Sequence, residues 1–281
     1  MKVTISLFLI IAFSLFAGAV HSQEAGQIKN PSHWNAHWIA SANDDGSNYG
    51  VYYFRKEFNL NEKPGSFIIH LSADNRYKLF INDSLISVGP IRGDLRYWYY
   101  ETIDLSPYLQ KGKNIIAAMV FNEAQHRPEA QITLRTAFIL QGNTKTEEIL
   151  NTDKTWKCFK DEAYLPIPEF YFAASKGQLV DMNKTIGTWT SSNFDDTNWK
   201  AAANLFEGKL KGMSDGFGWM LVPSPLPARE MTYERIPLLR SAEGISPVKD
   251  FPAHKNLKSS RLIQPLFYYL ISLTLRMHIS R

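Results

Sequence analysis

The chain has 281 residues, with 31 Lys and Arg against 27 Asp and Glu and a formal net charge of +4. That surplus sits at the ends: without Lys2 and the basic residues Lys255, Lys258, Arg261, Arg276 and Arg281, 25 basic residues face 27 acidic ones. So balanced a body gives no electrostatic argument for nucleic acid or an anionic membrane as partner, and a single cysteine, Cys158, excludes an internal disulfide and leaves stability to packing.

Lys2, an apolar run over 5–17 and the small residues Ala17-Gly18-Ala19 read as a signal peptide over residues 1–22, with an uncleaved anchor as the rival. Export without disulfides fits a bacterial periplasmic or secreted protein, with no stable membrane insertion of the mature chain. About 260 residues remain, enough for one large sandwich. Trp34 and Trp38, in PSHWNAHWIA at 31–40, are expected to pack the N-terminus onto a sheet, or to form a sugar platform if a ring is exposed. VYYFRKEF at 51–58 is aromatic and β-branched and predicts a strand.

The clearest pattern lies in 66–108. Strand runs at 66–71 and 77–81 flank the polar turn Ser72-Ala73-Asp74-Asn75-Arg76, and Tyr77, Leu79 and Ile81 alternate with Lys78, Phe80 and Asn82 in the period of a half-buried strand. Asn82-Asp83-Ser84 predicts a tight reversal into the next strand, because short Asn and Asp side chains bond nearby backbone and tolerate left-handed geometry. The expectation is an antiparallel meander.

Gly89-Pro90 and Gly93-Asp94 mark a loop before a strand at 98–105. A single helical turn follows at 106–109, with Pro107 tolerated at its start. IIAAMVF at 115–121 is apolar on both faces and reads as a central strand. Further on, 132–140 is strand-like with Gln141-Gly142-Asn143 as its turn, 144–150 reads as a short helix, and 155–159 as a strand in which Cys158 is a buried small hydrophobe. Pro166 and Pro168 bar 164–172 from the centre of a sheet. Many short strands and no long amphipathic helix favour an all-β, antiparallel sandwich over an α/β fold.

SSNFDDTNW at 191–199 offers Asn193, Asp195 and Asp196 as turn residues or oxygen ligands, and Phe194 and Trp199 as buried pins. Calcium takes six to eight oxygens; two adjacent carboxylates supply too few alone, so no cofactor is implied, with Ca²⁺ the metal to consider. A glycine-rich loop at 208–219 leads to PSPLP at 223–227, a stiff exit linker. Residues 228–281 read as linker and a truncated or altered tail without a partner strand, whose 14-residue apolar run at 262–275 is too short to span a membrane.

The motifs WNAHWIA at 34–40, YYFRKEFNL at 52–60, SADNRYKLFIND at 72–83, GPIRGDLRYWYYETIDLSPYLQKGKNIIAAMVFN at 89–122 and WTSSNFDDTNWK at 189–200 together resemble the N-terminal β-sandwich region of bacterial α-L-rhamnosidases and related glycoside hydrolases. The resemblance covers residues 31–227, with GPIRGDLRYWYY its most specific run. It implies a galactose-binding-like jelly roll with loop insertions that is accessory, hydrolysis belonging to a later all-α toroidal domain with two acidic groups arranged for inversion. No Asp or Glu of this chain maps onto that pair, and the chain is expected to end before such a domain.

A ring over the apolar face of a sugar, with planar polar groups at its hydroxyls, is the physical recipe for holding a glycan. Arg92, Asp94, Arg96 and Trp98 have that composition; the alternative is a domain-docking seam with charge-assisted bonds and Trp98 packed into the core. Asp74, Asn75 and Arg76 at a strand turn either bond backbone or meet sugar. Glu123 and His126, after the central strand, are a weak acid–base signal. The expected function is a non-catalytic, carbohydrate-associated accessory domain of an α-L-rhamnosidase-like protein, whose partners are a plant polysaccharide or rhamnosylated glycan and a following glycosidase domain. A freestanding lectin-like module and an interdomain-docking module are the rivals.

Overall fold

The computed structural model describes residues 30–167, 177–213, 216–227, 229–231, 239–243 and 267–270. The signal peptide expected over residues 1–22 lies outside them. The strands are β1 (His37–Ala40), β2 (Gly50–Leu60), β3 (Ile68–Asp74), β4 (Arg76–Ile81), β5 (Ser84–Gly89), β6 (Trp98–Asp104), β7 (Gly112–Asn122), β8 (Ala137–Gly142) and β9 (Lys157–Lys160). Shorter ones follow: β10 (Tyr164–Leu165), β11 (Leu179–Val180), β12 (Lys200–Ala201), β13 (Ala203–Glu207), β14 (Lys209–Leu210), β15 (Met220–Pro223), β16 (Leu239–Glu243) and β17 (Phe267–Leu270).

Two sheets form an all-β sandwich, one ordered β13-β1-β8-β3-β6-β15-β14 and the other β12-β9-β2-β7-β4-β5. Pairing is antiparallel except where β15 runs parallel to β6 and β14. The predicted central strand is β7, paired along its length with β2 and β4.

Side-chain alternation builds three apolar layers. Tyr52, Phe54 and Phe58 of β2, Tyr77, Leu79 and Ile81 of β4, and Ile69, Leu71 and Ala73 of β3 fill the space between the sheets with Phe138, Leu140, Trp156 and Cys158. Burial raises the Cys158 thiol pKa, as expected of a small apolar core residue. On the outer side of the first sheet Trp34, Trp38, Trp98 and Trp219 cluster, with Trp38 and Trp219 stacked at 4.1 Å. Outside the second, Tyr53 stacks on Trp189 at 4.1 Å beside Trp199 and Phe194. Trp34 and Trp38 are fully buried, so both pack and neither is a platform. Burying side chains of this size contributes roughly 1.5–3 kcal/mol each, which is how the fold does without disulfides.

The 82–84 reversal follows its side-chain chemistry. Asn82 and Asp83 take φ of 47° and 73°, the left-handed geometry of a two-residue hairpin turn between β4 and β5. The Asn82 side chain also accepts from the Ile115 amide and donates to Asn114 Oδ1 and the Tyr108 carbonyl.

Three expectations are corrected. Residues 72–76 do not join two neighbours of a meander: β3 pairs with β6 and β8, β4 with β5 and β7, and Asp74 to Arg76 carries the chain from one sheet to the other. With both edges of each strand occupied, pairing between them is excluded. Second, the strand expected over 132–140 begins only at Ala137 and includes Gln141 and Gly142, which pair with His70 and Ile69. The preceding amides are spent elsewhere, Leu134 and Arg135 on the Asp74 carboxylate and Thr136 on the Gly46 carbonyl. Third, the C-terminal segment contains a paired strand, β17, antiparallel to β16. The chain divides into units Met1–Pro227 and Ala228–Arg281, the second containing this pair.

Candidate functional site

At the end of the sandwich where β3 crosses to β4, three connections converge. The Asn75 amide bonds the Phe121 carbonyl at the end of β7, and Arg76 donates to the Pro90 carbonyl after β5 and to Gln131 Oε1 in the β7–β8 loop, both at 3.3 Å. They enclose a cleft of about 310 Å³ whose walls include Arg76, Arg92, Phe121, Glu123 and Gln131. Pro128 and the Gly177–Gln178 backbone complete it.

Each wall group has a local cause. Arg76 and Phe121 face one another in register on β4 and β7, so an aromatic ring and a guanidinium share the rim. Gln131 is 5% exposed and its amide bonds the Pro128 carbonyl, which holds its carboxamide oxygen for Arg76. The Glu123 amide is held by Asn75 Oδ1. Arg92, exposed on the β5–β6 loop, makes no hydrogen bond or ion pair with the described residues. Gly93 beside it is required by space: a Cβ would fall 2.1 Å from the Tyr97 carbonyl oxygen.

Beneath the cleft lies Asp74, wholly buried. One carboxylate oxygen accepts from the Leu134 amide at 2.7 Å and from Trp219 Nε1 at 3.0 Å, and the other from Asn75 Nδ2 at 2.9 Å. Desolvation outweighs these bonds and raises its pKa from 3.8 to about 6. Asp74 and Asn75 therefore fasten the loops that form the cleft from below.

The sequence-derived candidates divide three ways. Arg76 and Arg92 meet in the cleft, and Asp74 and Asn75 support it. The third group, Asp94, Arg96 and Trp98, belongs to a separate loop. There Asp94 Oδ1 accepts the Arg96 and Tyr97 amides, Arg96 is exposed, and Trp98 is 3% exposed in the tryptophan cluster. Tyr97 stands 46% exposed with Lys211 Nζ 3.3 Å from its ring centre. Sequence reasoning missed Phe121 and Gln131. The signal for Phe121 was available, since it ends the central strand opposite the turn that carries Arg76; nothing local marks Gln131.

The calcium candidate is engaged by cations. Asp196 bonds the Arg55 guanidinium through one carboxylate oxygen and Lys157 Nζ through the other, the latter at 2.6 Å. Arg55 also donates to the Ser191 and Trp189 carbonyls. Asp195 caps the Thr197 amide, a bond that lowers its carboxyl pKa. Among the described residues no three His, Cys, Asp or Glu side chains group to hold a metal, and no helix is long and apolar enough to cross a membrane.

Comparison with known proteins adds a family. Residues 69–214 match the model of the alpha-L-rhamnosidase N-terminal domain. An alpha-L-rhamnosidase of Formosa agariphila is 25% identical over 170 residues, covering 54% of this chain and 17% of that protein. Among solved structures, a GH78 family rhamnosidase of Bacillus sp. GL1 superposes with a TM-score of 0.65 at 23% identity, over 76% of this chain and 22% of that one. The alpha-L-rhamnosidase of Dictyoglumus thermophilum gives 0.52 at 21% identity, over 69% and 22%. At such identities these likenesses speak for the fold, and the chain spans about a fifth of each relative's length.

Proposed function

Because the chain belongs to the family of α-L-rhamnosidase N-terminal domains, matched over residues 69–214, we propose that it serves a rhamnoside-cleaving protein as a non-catalytic accessory sandwich that holds glycan in the cleft. The observation that carries this reading is the convergence of an aromatic rim, Phe121, with planar hydrogen-bonding groups, Arg76, Arg92 and Gln131, around one cavity. Planar amide and guanidinium groups match vicinal hydroxyls, and a ring edge covers sugar C–H. The ligand class is a plant polysaccharide or rhamnosylated glycan. The 1–22 leader pattern points to a periplasmic or secreted location.

The test is calorimetric titration of the purified chain with rhamnose-containing oligosaccharides. Saturable binding that Gln131→Ala weakens about tenfold is expected; wild-type affinity in that variant would remove the cleft from the account. Released rhamnose from an aryl rhamnoside at an enzymatic rate would overturn the non-catalytic part.

A second reading has its own observation. The exposed Tyr97, with Lys211 over its ring and Arg96 beside it, is a firm aromatic and cationic surface of the kind that docks a neighbouring domain. Under it, a glycosidase domain added in trans binds the wild-type chain and loses affinity on Tyr97→Ala, while glycan binding is unchanged.

A further inference from the structure

We propose that Asp74 and Asn75 form a proton-operated latch beneath the cleft: ionised Asp74 holds the Asn75 side chain, Asn75 holds the Glu123 wall, and a proton on Asp74 sets that wall free. The latch needs no ligand and is independent of the glycan reading above.

The polarity of the hydrogen bonds carries the inference. Among the described residues, every group bonded to the Asp74 carboxylate is a donor. Oδ2 accepts the Leu134 amide at 2.7 Å, Trp219 Nε1 at 3.0 Å and the Arg135 amide at 3.3 Å. Oδ1 accepts Asn75 Nδ2 at 2.9 Å. The Thr133 hydroxyl also reaches the carboxylate, and its oxygen already accepts from Asn122 Nδ2 at 2.8 Å. An ionised carboxylate only accepts and fits this shell, whereas a protonated one carries an O–H that needs an acceptor of its own.

With three donors on Oδ2, the proton goes to Oδ1 and meets the Asn75 N–H. Either response of Asn75 has the same result. Whether its carboxamide turns over to offer Oδ1 to the new hydroxyl or swings away, the Glu123 amide loses the Oδ1 that it donates to at 3.3 Å. The next amide, of Ala124, is held by Asn122 Oδ1 at 2.8 Å. Ala124 stands at φ 46°, and a non-glycine residue keeps that conformation only while its surroundings enforce it. The 123–124 turn therefore depends on these side-chain acceptors, and the cleft wall moves with it.

Burial brings the proton within reach. Desolvation is the largest cause acting on Asp74 and raises its pKa to about 6 against the bonds from Thr133, Leu134, Trp219 and Arg135. The charged groups on the surrounding segments are otherwise engaged. Arg76 turns to the Pro90 carbonyl and Gln131, the Arg135 side chain acts on Asp45, and Glu123 lines the cleft. Glu101 of β6 lies opposite Leu71, three residues back along β3, and His126 faces Tyr49. β15 and β8 bring Trp219 and Ala137, which do not ionise.

The experiment follows the full chain by NMR between pH 7 and pH 5. The Trp219 indole N–H resonance reports the charge on Asp74, and hydrogen exchange of the Glu123 amide reports the wall. The indole signal is expected to titrate, and the protection factor of Glu123, corrected for the intrinsic rate, to fall about tenfold over the same range. Asp74→Asn places an N–H where the proton would sit, so its Glu123 amide should be weakly protected at both pH values. Asn75→Ala removes the acceptor itself and should show the same weak protection while the indole still titrates, which serves if Asp74→Asn does not fold. A flat indole signal would overturn the latch, since Asp74 would then keep one charge state throughout. So would a titrating indole with unchanged Glu123 protection, the result if Thr133 took the proton in place of Asn75. A pH-dependent loss that persists in Asn75→Ala would assign the change to another group, His126 first, and overturn the proposal.

Discussion

Arg55 on β2 is 2% exposed and held by the Asp196 carboxylate and the carbonyls of Trp189 and Ser191, while Arg92 at the cleft is exposed and unpartnered among the described residues. Both stand beside aromatic rings, Phe194 for Arg55 and Phe121 at the rim of Arg92's cleft. The difference is water. A desolvated cation must have its donors matched by the fold, because the loss of hydration is otherwise uncompensated. A hydrated cation can leave them open at little cost, and they stay available to a ligand. The SSNFDDTNW segment is thus a clasp closing the outer face of the second sheet, and the Arg76–Arg92 cleft is an opening.

The largest effect should come from breaking the clasp. Asp196→Ala leaves Arg55 buried without its counter-charge and is expected to cost about 3–5 kcal/mol, read from urea denaturation. A loss below about 1 kcal/mol would mean that the pair is hydrated and the contrast with Arg92 is unfounded.

Next is the support beneath the opening. Asp74 has a folded pKa of about 6 against 3.8 for the free group, raised by burial. A carboxyl whose pKa rises on folding adds stability below its unfolded value and loses it as pH climbs through the folded one. Between pH 7 and pH 4 the wild type should therefore gain about 2 kcal/mol relative to Asp74→Asn, in which this dependence is removed. Denaturation curves of the two proteins at matched pH read the difference; a constant gap would show that the bonds from Leu134, Arg135 and Trp219 offset desolvation entirely.

Asn114 tests a neutral counterpart of the clasp. It is wholly buried, accepting from the Gln110 amide and Asn82 Nδ2 and donating to the Gln110 and Gly112 carbonyls. Asn114→Ala strands several of these groups and should cost about 1–3 kcal/mol. The smallest stability effect belongs to Arg92→Ala, within about 0.5 kcal/mol of wild type. A clear destabilisation there would reveal a structural role and weaken its assignment as a ligand group.

Much of the fold was legible because it is written locally. Tyr77, Leu79 and Ile81 do face the core, Asn82 and Asp83 do turn the chain, and Trp34 and Trp38 do pack. The failures share a cause. Residues 72–76 carry the composition of a hairpin turn, yet they cross between sheets, since alternation reports the face of a strand and says nothing of its neighbours. The 132–136 segment has strand-like residues, yet the Leu134 and Arg135 amides are claimed by a buried carboxylate far away in sequence. Of the candidate site, Arg76 and Arg92 were legible as polar loop residues, whereas the burial of Trp98 and the participation of Gln131 were not.

Sequence alone determined the class of this protein and its layering, because period-two burial, turn chemistry and the absence of disulfides act within a few residues of their cause. Tertiary structure decided which charges were closed and which stayed open. Arg55 and Asp196 are 141 positions apart and Arg76 and Gln131 are 55 apart, and only the sheet crossover and the desolvation that follows from packing determine whether such groups meet one another or a ligand.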